Sequence, residues 1–167
     1  CDDDLSVLNE LHVLMDNYRV ERNQEITYTA FHSPLELIAQ IEKGMRFDIL
    51  FLDVLMPGVN GIETAQEIRE YDSAMKIIFL TSSAEYAVES YAVNAYFYQL
   101  KPIWPESFYR LMDSVLKECA QEQRRSLILR CKSGITQISL DRLMYCEVQG
   151  RTLVFHMQNG EQLESVG

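Results

Sequence analysis

The chain has 167 residues and a formal net charge of −10 at pH 7, which allows one full domain and part of a second. No apolar run is long enough to span a membrane and no secretory signal is visible, so we expect a cytoplasmic protein whose four cysteines, lacking metal-like spacing, stay reduced. Residues 1–123 carry 21 acidic and 9 basic side chains, which disfavours nucleic-acid binding by that part, whereas residues 124–167 carry 4 and 6.

Helical and strand patterns alternate over the first 120 residues. The predicted helices cover residues 5–19, 34–44, 62–71, 85–93 and 108–119, and the predicted strands cover residues 26–31, 49–52, 77–80 and 95–100. The last three strands are expected to be buried on both faces, as in a parallel sheet that helices cover. This alternation predicts a doubly wound parallel α/β sheet.

The pattern changes after about residue 120. Residues 121–126 are polar and are predicted to be a linker. The period then becomes two, and glycines separate short strands predicted at residues 127–131, 135–140, 143–148, 153–157 and 162–166. We therefore predict a first domain over 1–120 and an all-β module over 127–167, which stops abruptly and is expected to be truncated.

Polar side chains follow the predicted buried strands. Asp53 comes directly after residue 52, Thr81 after residue 80 and Lys101 after residue 100, while Asp2 and Asp3 precede the first helix. Because the carboxyl ends of parallel strands meet at one edge of a sheet, we expect these side chains to converge there. Each of them alone has a plain structural explanation, as a helix-start acid, a loop cap, a strand-end cap or a solvated loop cation.

Together these groups indicate phosphoryl chemistry. Carboxylates from two segments suit a hard cation held by oxygen atoms, so Mg²⁺ is the expected cofactor. Asp53 could act as a nucleophile toward phosphorus, as carboxylates do in aspartyl-phosphate chemistry. The metal and Lys101 would neutralise the charge of the transferred group, and the Thr81 hydroxyl could hydrogen-bond one of its oxygens.

Four stretches resemble the receiver domain of two-component response regulators, over roughly residues 1–120. They are Cys1-Asp2-Asp3, the run from Asp53 to Pro57 with Gly61, Thr81-Ser82 and Lys101-Pro102. The resemblance implies a flavodoxin-like receiver fold in which Asp53 is the phosphoacceptor. It also implies that Thr81 senses the phosphoryl group, that Lys101 pairs with it, and that the Lys101-Pro102 bond is cis.

The same resemblance implies a Mg²⁺ site and a switch residue. Asp3 and Asp53 would be direct ligands, the backbone carbonyl of Leu55 would be the third, and Asp2 would act through water. Tyr98, three residues before Lys101, matches the aromatic switch position of the family, although it could also be an ordinary strand aromatic.

One feature departs from the family pattern. Receiver domains have a short apolar strand directly before the acidic pair, and here the sequence opens at Cys1 without it. The strand predicted at 26–31 then has no neighbour on the side of the strand that ends at Asp53. We expect the complete protein to contain a strand of roughly five residues before Cys1.

The tail resembles the beginning of a LytTR-type DNA-binding domain. The similar stretch runs from Ile138 to Glu147 and is followed by Gly150-Arg151. By position Arg151 matches a loop that contacts DNA in that family, although a solvated turn residue is an equal alternative. The resemblance covers some 40 residues, about half of the family's domain.

These resemblances imply a non-enzymatic response regulator. A sensor histidine kinase would phosphorylate Asp53, phosphorylation would favour a homodimer, and the full-length protein would bind promoter DNA. A receiver without DNA output is the main alternative. A phosphatase of the haloacid dehalogenase type needs a second aspartate two residues after the nucleophile, where this chain has Leu55, and a flavodoxin-like flavin binder needs a phosphate loop that is missing.

Overall fold

The computed structural model describes residues 1–131 and 134–166. They form two compact units, Cys1–Val115 and Leu116–Gly167, which are described separately. Across the described residues no helix combines the length and the apolar character that crossing a membrane requires.

The first unit is built on a three-stranded parallel sheet of order β1-β4-β5. Its strands are β1 (Ile49–Leu52), β4 (Lys76–Thr81) and β5 (Phe97–Leu100), and a small antiparallel hairpin is formed by β2 (Leu55–Met56) and β3 (Val59–Asn60). Its helices are α1 (Leu5–Arg22), α2 (Pro34–Glu42), α3 (Gly61–Tyr71) and α4 (Pro105–Arg124), the last of which continues into the second unit. The predicted parallel sheet is confirmed.

Helices cover both faces of this sheet. On one face, Leu52 and Phe79 pack in a fully buried cluster with apolar residues of α2 and α3. On the other face, the ring of Phe51 lies 5.7 Å from that of Phe108 in α4, which in turn contacts Tyr18 of α1. The fold is therefore the doubly wound, flavodoxin-like arrangement that the alternation of elements predicts.

The strand predicted at residues 26–31 is absent. A strand needs a hydrogen-bonded ladder, and in the described structure only Cys1 and Asp2 lie between this segment and β1. The backbone N–H of Asp2 donates to the carbonyl of Phe31 at 3.2 Å, and that of Asp53 donates to the carbonyl of Cys1 at 3.0 Å. Two residues can bridge the segment to the sheet but cannot form a ladder along it.

Two further expectations in the first unit are wrong. The helix predicted at 85–93 is a series of turns followed by a 3₁₀ helix, Glu89–Val93. Val88 and Tyr91 are exposed, so this short segment lacks the packed apolar stripe that stabilises an α-helix. Strand β5 is not buried on both faces, since Phe97 and Leu100 are exposed. Strand β1 is buried at Leu50 and Leu52 but only partly buried on its other face, at Ile49 and Phe51.

The second unit is a five-stranded antiparallel sheet of order β7-β6-β10-β9-β8. The strands are β6 (Ser126–Cys131), β7 (Gly134–Ser139), β8 (Leu143–Gln149), β9 (Thr152–Met157) and β10 (Gln162–Val166). Leu129, Ile138, Phe155 and Met157 form its small core. The all-β prediction is confirmed. Residues 121–124 of the predicted linker are helical and end α4, in keeping with the helix propensity of Gln, Glu and Arg.

Candidate functional site

Three carboxylates meet at the carboxyl end of the parallel sheet. Asp53 directly follows β1, and Asp2 and Asp3 lie beside it because the backbone of Cys1 is hydrogen-bonded to β1. One oxygen from each carboxylate lies within 4.8 Å of the others. Asp2 and Asp53 are buried, at 2% and 6% exposure, whereas Asp3 is exposed. The cluster therefore opens to solvent on the side of Asp3.

Lys101, directly after β5, is the cation of this cluster. Its Nζ donates to Oδ2 of Asp2 and to Oδ2 of Asp53, each at 2.7 Å. Burial lowers the pKa of Lys101, but its hydrogen bonds to the two carboxylates and their charges outweigh burial, so its pKa is raised overall. The Lys101-Pro102 bond is cis, as the resemblance implies.

The charge and the donor atoms of this cluster fit a divalent cation. Three carboxylates lie together and two of them, Asp2 and Asp53, contact the ammonium group of Lys101, which leaves an excess of negative charge. The ligating atoms are all carboxylate oxygens, which Mg²⁺ prefers, and the exposed side at Asp3 leaves room for the waters that Mg²⁺ usually keeps. The residues present therefore fit the expected metal.

The loop after Asp53 is held in one conformation by short-range contacts. Oδ1 of Asp53 accepts a hydrogen bond from the backbone N–H of Leu55 at 3.2 Å. Asn60 caps α3 by accepting from the N–H of Ile62 at 2.8 Å. A Cβ on Gly61 would lie 2.1 Å from the backbone oxygen of Asp53, so only glycine allows α3 to begin this close to it.

Thr81 and Tyr98 are joined through Ser83. Thr81 ends β4 and is fully buried, and its Oγ1 accepts a hydrogen bond from the N–H of Ser83 at 3.3 Å. The hydroxyl of Tyr98 donates to the carbonyl of Ser83 at 2.7 Å, and its ring lies 6.0 Å from that of Phe79. Burial raises the pKa of Tyr98. Because both residues hydrogen-bond to the backbone of Ser83, a displacement of Thr81 that moved Ser83 would also move the hydrogen-bond partner of Tyr98.

The remaining predicted site residue belongs to the second unit. Arg151 is exposed in the turn between β8 and β9. The structure thus brings Asp2, Asp3, Asp53 and Lys101 together. It places Thr81 at the end of β4, Leu55 in the hairpin that follows Asp53, and Tyr98 within β5, where its hydroxyl contacts Ser83.

Sequence reasoning did not identify the roles of Asn60 and Ser83. Asparagine directly before a helical pattern is a known N-cap signal and could have revealed the first. Ser83 acts through its backbone, which leaves no signal in the residue type.

A cleft of about 420 Å³ opens beside Asp3. It is lined by Asp3, by Val54, Leu55, Met56 and Pro57 of the loop after Asp53, by Val59 and Asn60 of β3, and by Tyr86. Its lining combines polar groups, among them Asp3 and Asn60, with apolar side chains.

Comparisons with known proteins agree on one family. The family model "Response regulator receiver domain" matches residues 1–114. The sensory transduction protein LytT of Oceanobacillus iheyensis is 30% identical over 125 residues, which are 71% of this chain and 51% of LytT. The transcriptional regulatory protein NatR of Bacillus subtilis is 26% identical over 151 residues, which are 83% of this chain and 64% of NatR. The chain thus spans about half the length of LytT.

A solved structure supports the fold. The response regulatory domain of the protein mrkE from Klebsiella pneumoniae superposes with a TM-score of 0.63 at 24% identity. The match covers 72% of this chain and 94% of that domain. At this identity the similarity establishes the fold of the first unit.

Proposed function

This chain belongs to the response regulator receiver domain family, and we propose that it accepts a phosphoryl group on Asp53 from a sensor histidine kinase. The observation that carries the proposal is the convergence of Asp2, Asp3 and Lys101 on Asp53 at the end of β1. Members of this family are regulatory proteins. Leu55 stands where a haloacid dehalogenase-type phosphatase needs its second aspartate, which argues against catalytic turnover.

The transfer uses a carboxylate oxygen of Asp53 as nucleophile. A P–O bond forms to that oxygen while the P–N bond of the kinase phosphohistidine breaks, and the electron pair of that bond stays on the ring nitrogen. Asp3, Asp53 and the backbone carbonyl of Leu55 would hold Mg²⁺, with Asp2 acting through water, and the metal would neutralise charge on the transferred group. The Nζ of Lys101 lies 2.7 Å from Oδ2 of Asp53 and would pair with an oxygen of the transferred phosphoryl group.

Phosphorylation would act on Ser83, the residue that hydrogen-bonds to both Thr81 and Tyr98. A phosphoryl oxygen on Asp53 accepts a hydrogen bond from the Thr81 hydroxyl, which draws Thr81 away from Ser83. Because the carbonyl of Ser83 holds the Tyr98 hydroxyl, the ring of Tyr98 repacks and the surface of residues 84–105 changes. This change shifts the equilibrium between monomer and homodimer toward the homodimer. The size of the shift is limited by the difference in free energy with which the phosphoryl group interacts with the two conformations.

The second unit supplies the output in this proposal. LytT is named for sensory transduction and NatR for transcriptional regulation, and the match to NatR extends over 151 residues. We assign the receiver domain to 1–120, a connection to 121–126 and part of a LytTR-type DNA-binding module to 127–167. In the full-length protein this module would bind promoter DNA, and Arg151 in its exposed turn would be one of the contacts.

Acetyl phosphate tests the phosphoacceptor directly, since it needs no kinase. With Mg²⁺ present, the wild-type chain should gain the mass of one phosphoryl group, and Asp53→Asn should gain none. Asp48→Asn, a matched change of an aspartate just before β1, should still gain it. A phosphoryl group on the Asp53→Asn variant would overturn the proposal.

A further inference from the structure

Arg69, near the end of α3, holds two separate loops with one side chain. Its Nη1 donates to the carbonyls of Asp72 and Met75 at 3.1 and 2.8 Å. Its Nε donates to the carbonyl of Val93 at 2.8 Å, and its Nη2 donates to that of Asn94 at 3.1 Å. Because the guanidinium group is planar and rigid, these four hydrogen bonds fix the two loops relative to each other.

The two loops lie at the end of the parallel sheet opposite to the carboxylate cluster. One pair of carbonyls directly precedes β4 and the other precedes β5, so Arg69 binds at the amino ends of both strands. Thr81 ends β4 at its carboxyl end, and the six residues of this strand separate its two ends by roughly 17 Å. Any role of Arg69 in the response to phosphorylation is therefore indirect.

Residues 84–94, here called the switch segment, connect these two ends of the sheet. The segment begins beside Ser83, the residue on which phosphorylation is proposed to act, and it ends at the two carbonyls that Arg69 holds. Tyr91 in the segment is 81% exposed, whereas Val93 near its end is 3% exposed and packs in the hydrophobic core. The switch segment is thus loosely packed along its length and anchored at its end.

We propose that Arg69 is a positioning residue that anchors the switch segment, so that the change caused by phosphorylation reaches residues 84–92 and stops at residues 93–94. The inference rests on the proposed function, since it assumes that Asp53 is phosphorylated. Within the switch segment, only residues 84–92 then distinguish the phosphorylated form from the unphosphorylated one.

The backbone next to the anchor strengthens it. The N–H of Ala95 donates to the carbonyl of Ser90 at 3.1 Å, and that of Tyr96 donates to the carbonyl of Ile77 in β4 at 2.7 Å. A displacement that passed this point would break these bonds together with those to the guanidinium group. Hydrogen bonds from a charged donor are stronger than those between neutral groups, so the guanidinium group supplies the larger part of the resistance.

Hydrogen–deuterium exchange of the whole chain, followed by peptide mass spectrometry, tests the anchor. In wild type, acetyl phosphate with Mg²⁺ should change the exchange of residues 84–92 and leave that of residues 93–96 unchanged. In Arg69→Met the change should extend to residues 93–96, where exchange should become about tenfold faster when acetyl phosphate is added, as expected for the loss of one hydrogen bond from a charged donor. Arg46→Met removes another guanidinium group that donates to two backbone carbonyls, at the end of α2, and should behave as wild type.

The outcomes separate the anchor from the proposed function. The inference would be overturned by a wild-type chain that is phosphorylated yet changes at residues 93–96 or does not change at residues 84–92. It would also be overturned if exchange at residues 93–96 in Arg69→Met stayed as in wild type, or rose equally with and without acetyl phosphate, because Arg69 would then have no part in the response. A wild-type chain that gains no phosphoryl mass would instead overturn the proposed function.

A second variant covers the case in which Arg69→Met does not fold. Arg69→Lys retains the charge, but one ammonium group has three donors and cannot hold all four carbonyls. The phosphorylation-dependent change should therefore again extend to residues 93–96. A wild-type exchange pattern in Arg69→Lys would overturn the inference.

Discussion

Replacement of Lys101 by methionine should destabilise the first unit far more than replacement of an exposed lysine. In the structure its ammonium group contacts Asp2 and Asp53 at 2.7 Å, and both carboxylates are at least nine-tenths buried. Methionine has a similar length but no charge, so the two carboxylates would be left facing each other without a cation.

The magnitude follows from the loss of a buried partner. Removing one member of a buried ion pair costs about 3–5 kcal/mol, because the remaining charge stays desolvated. The Lys101 side chain is 18% exposed, so water can enter when it is gone. We therefore expect the lower end of that range, a fall of about 3 kcal/mol in the free energy of unfolding at pH 7.

Urea unfolding in the presence of a chelator measures this loss, with Lys43→Met, a change at an exposed lysine after α2, as the control. Mg²⁺ should restore part of the stability of the Lys101→Met variant, since it supplies the missing positive charge. A loss below about 0.5 kcal/mol, the range of ordinary surface substitutions, would refute the reasoning.

The pH dependence of the same variant gives a second check. Because the folded state raises the pKa of Lys101, its contribution is complete below the unfolded value of about 10.4 and is lost as the pH rises through the higher folded value. The stability difference between wild type and Lys101→Met should therefore stay constant from pH 7 to about pH 10 and shrink only above it. A difference that already shrinks between pH 7 and 9 would contradict this assignment.

Three further predictions concern the neighbouring residues. Gly61→Ala places a Cβ 2.1 Å from the carbonyl oxygen of Asp53 and should lower the free energy of unfolding, measured in urea titrations, by about 1–3 kcal/mol. An unchanged free energy would show that the backbone of this loop shifts at no measurable cost. Millimolar Mg²⁺ should raise the melting temperature of wild type but not that of Asp3→Ala, and identical behaviour of the two would remove Asp3 from the metal site. Tyr98→Phe loses the hydrogen bond to Ser83 and should cost about 1 kcal/mol of unfolding free energy, so full stability of that variant would mean the bond contributes nothing.

The sequence predicted the parallel sheet and the cluster around Asp53 because both depend on local signals. The buried strand before Asp53 is apolar throughout, and polar residues at the carboxyl ends of parallel strands converge on one edge of the sheet. The burial of β5 was predicted wrongly because burial of a strand depends on which other elements pack against it, which is a property of the whole fold and not of the strand's own composition. Ser83 was missed for a related reason, since a backbone carbonyl has the same chemistry in every residue.

The strand predicted at residues 26–31 is absent for a similar reason, since strand formation also depends on tertiary structure. Its residues alternate and are mostly β-branched or aromatic, which favours a strand locally. A strand also needs a partner along its length, and in the described structure only Cys1 and Asp2 lie on that side of β1. Tertiary pairing therefore overrides local propensity here.

Reduction of the phosphorylated chain with borohydride tests the central claim most directly. Borohydride converts an aspartyl phosphate to homoserine, and peptide mass spectrometry then locates the residue that carried the phosphoryl group. After treatment with acetyl phosphate and Mg²⁺, we predict homoserine at position 53 alone. Homoserine at position 2 or 3, or a phosphoryl group that survives reduction on Thr81, would contradict the assignment of Asp53 as the phosphoacceptor.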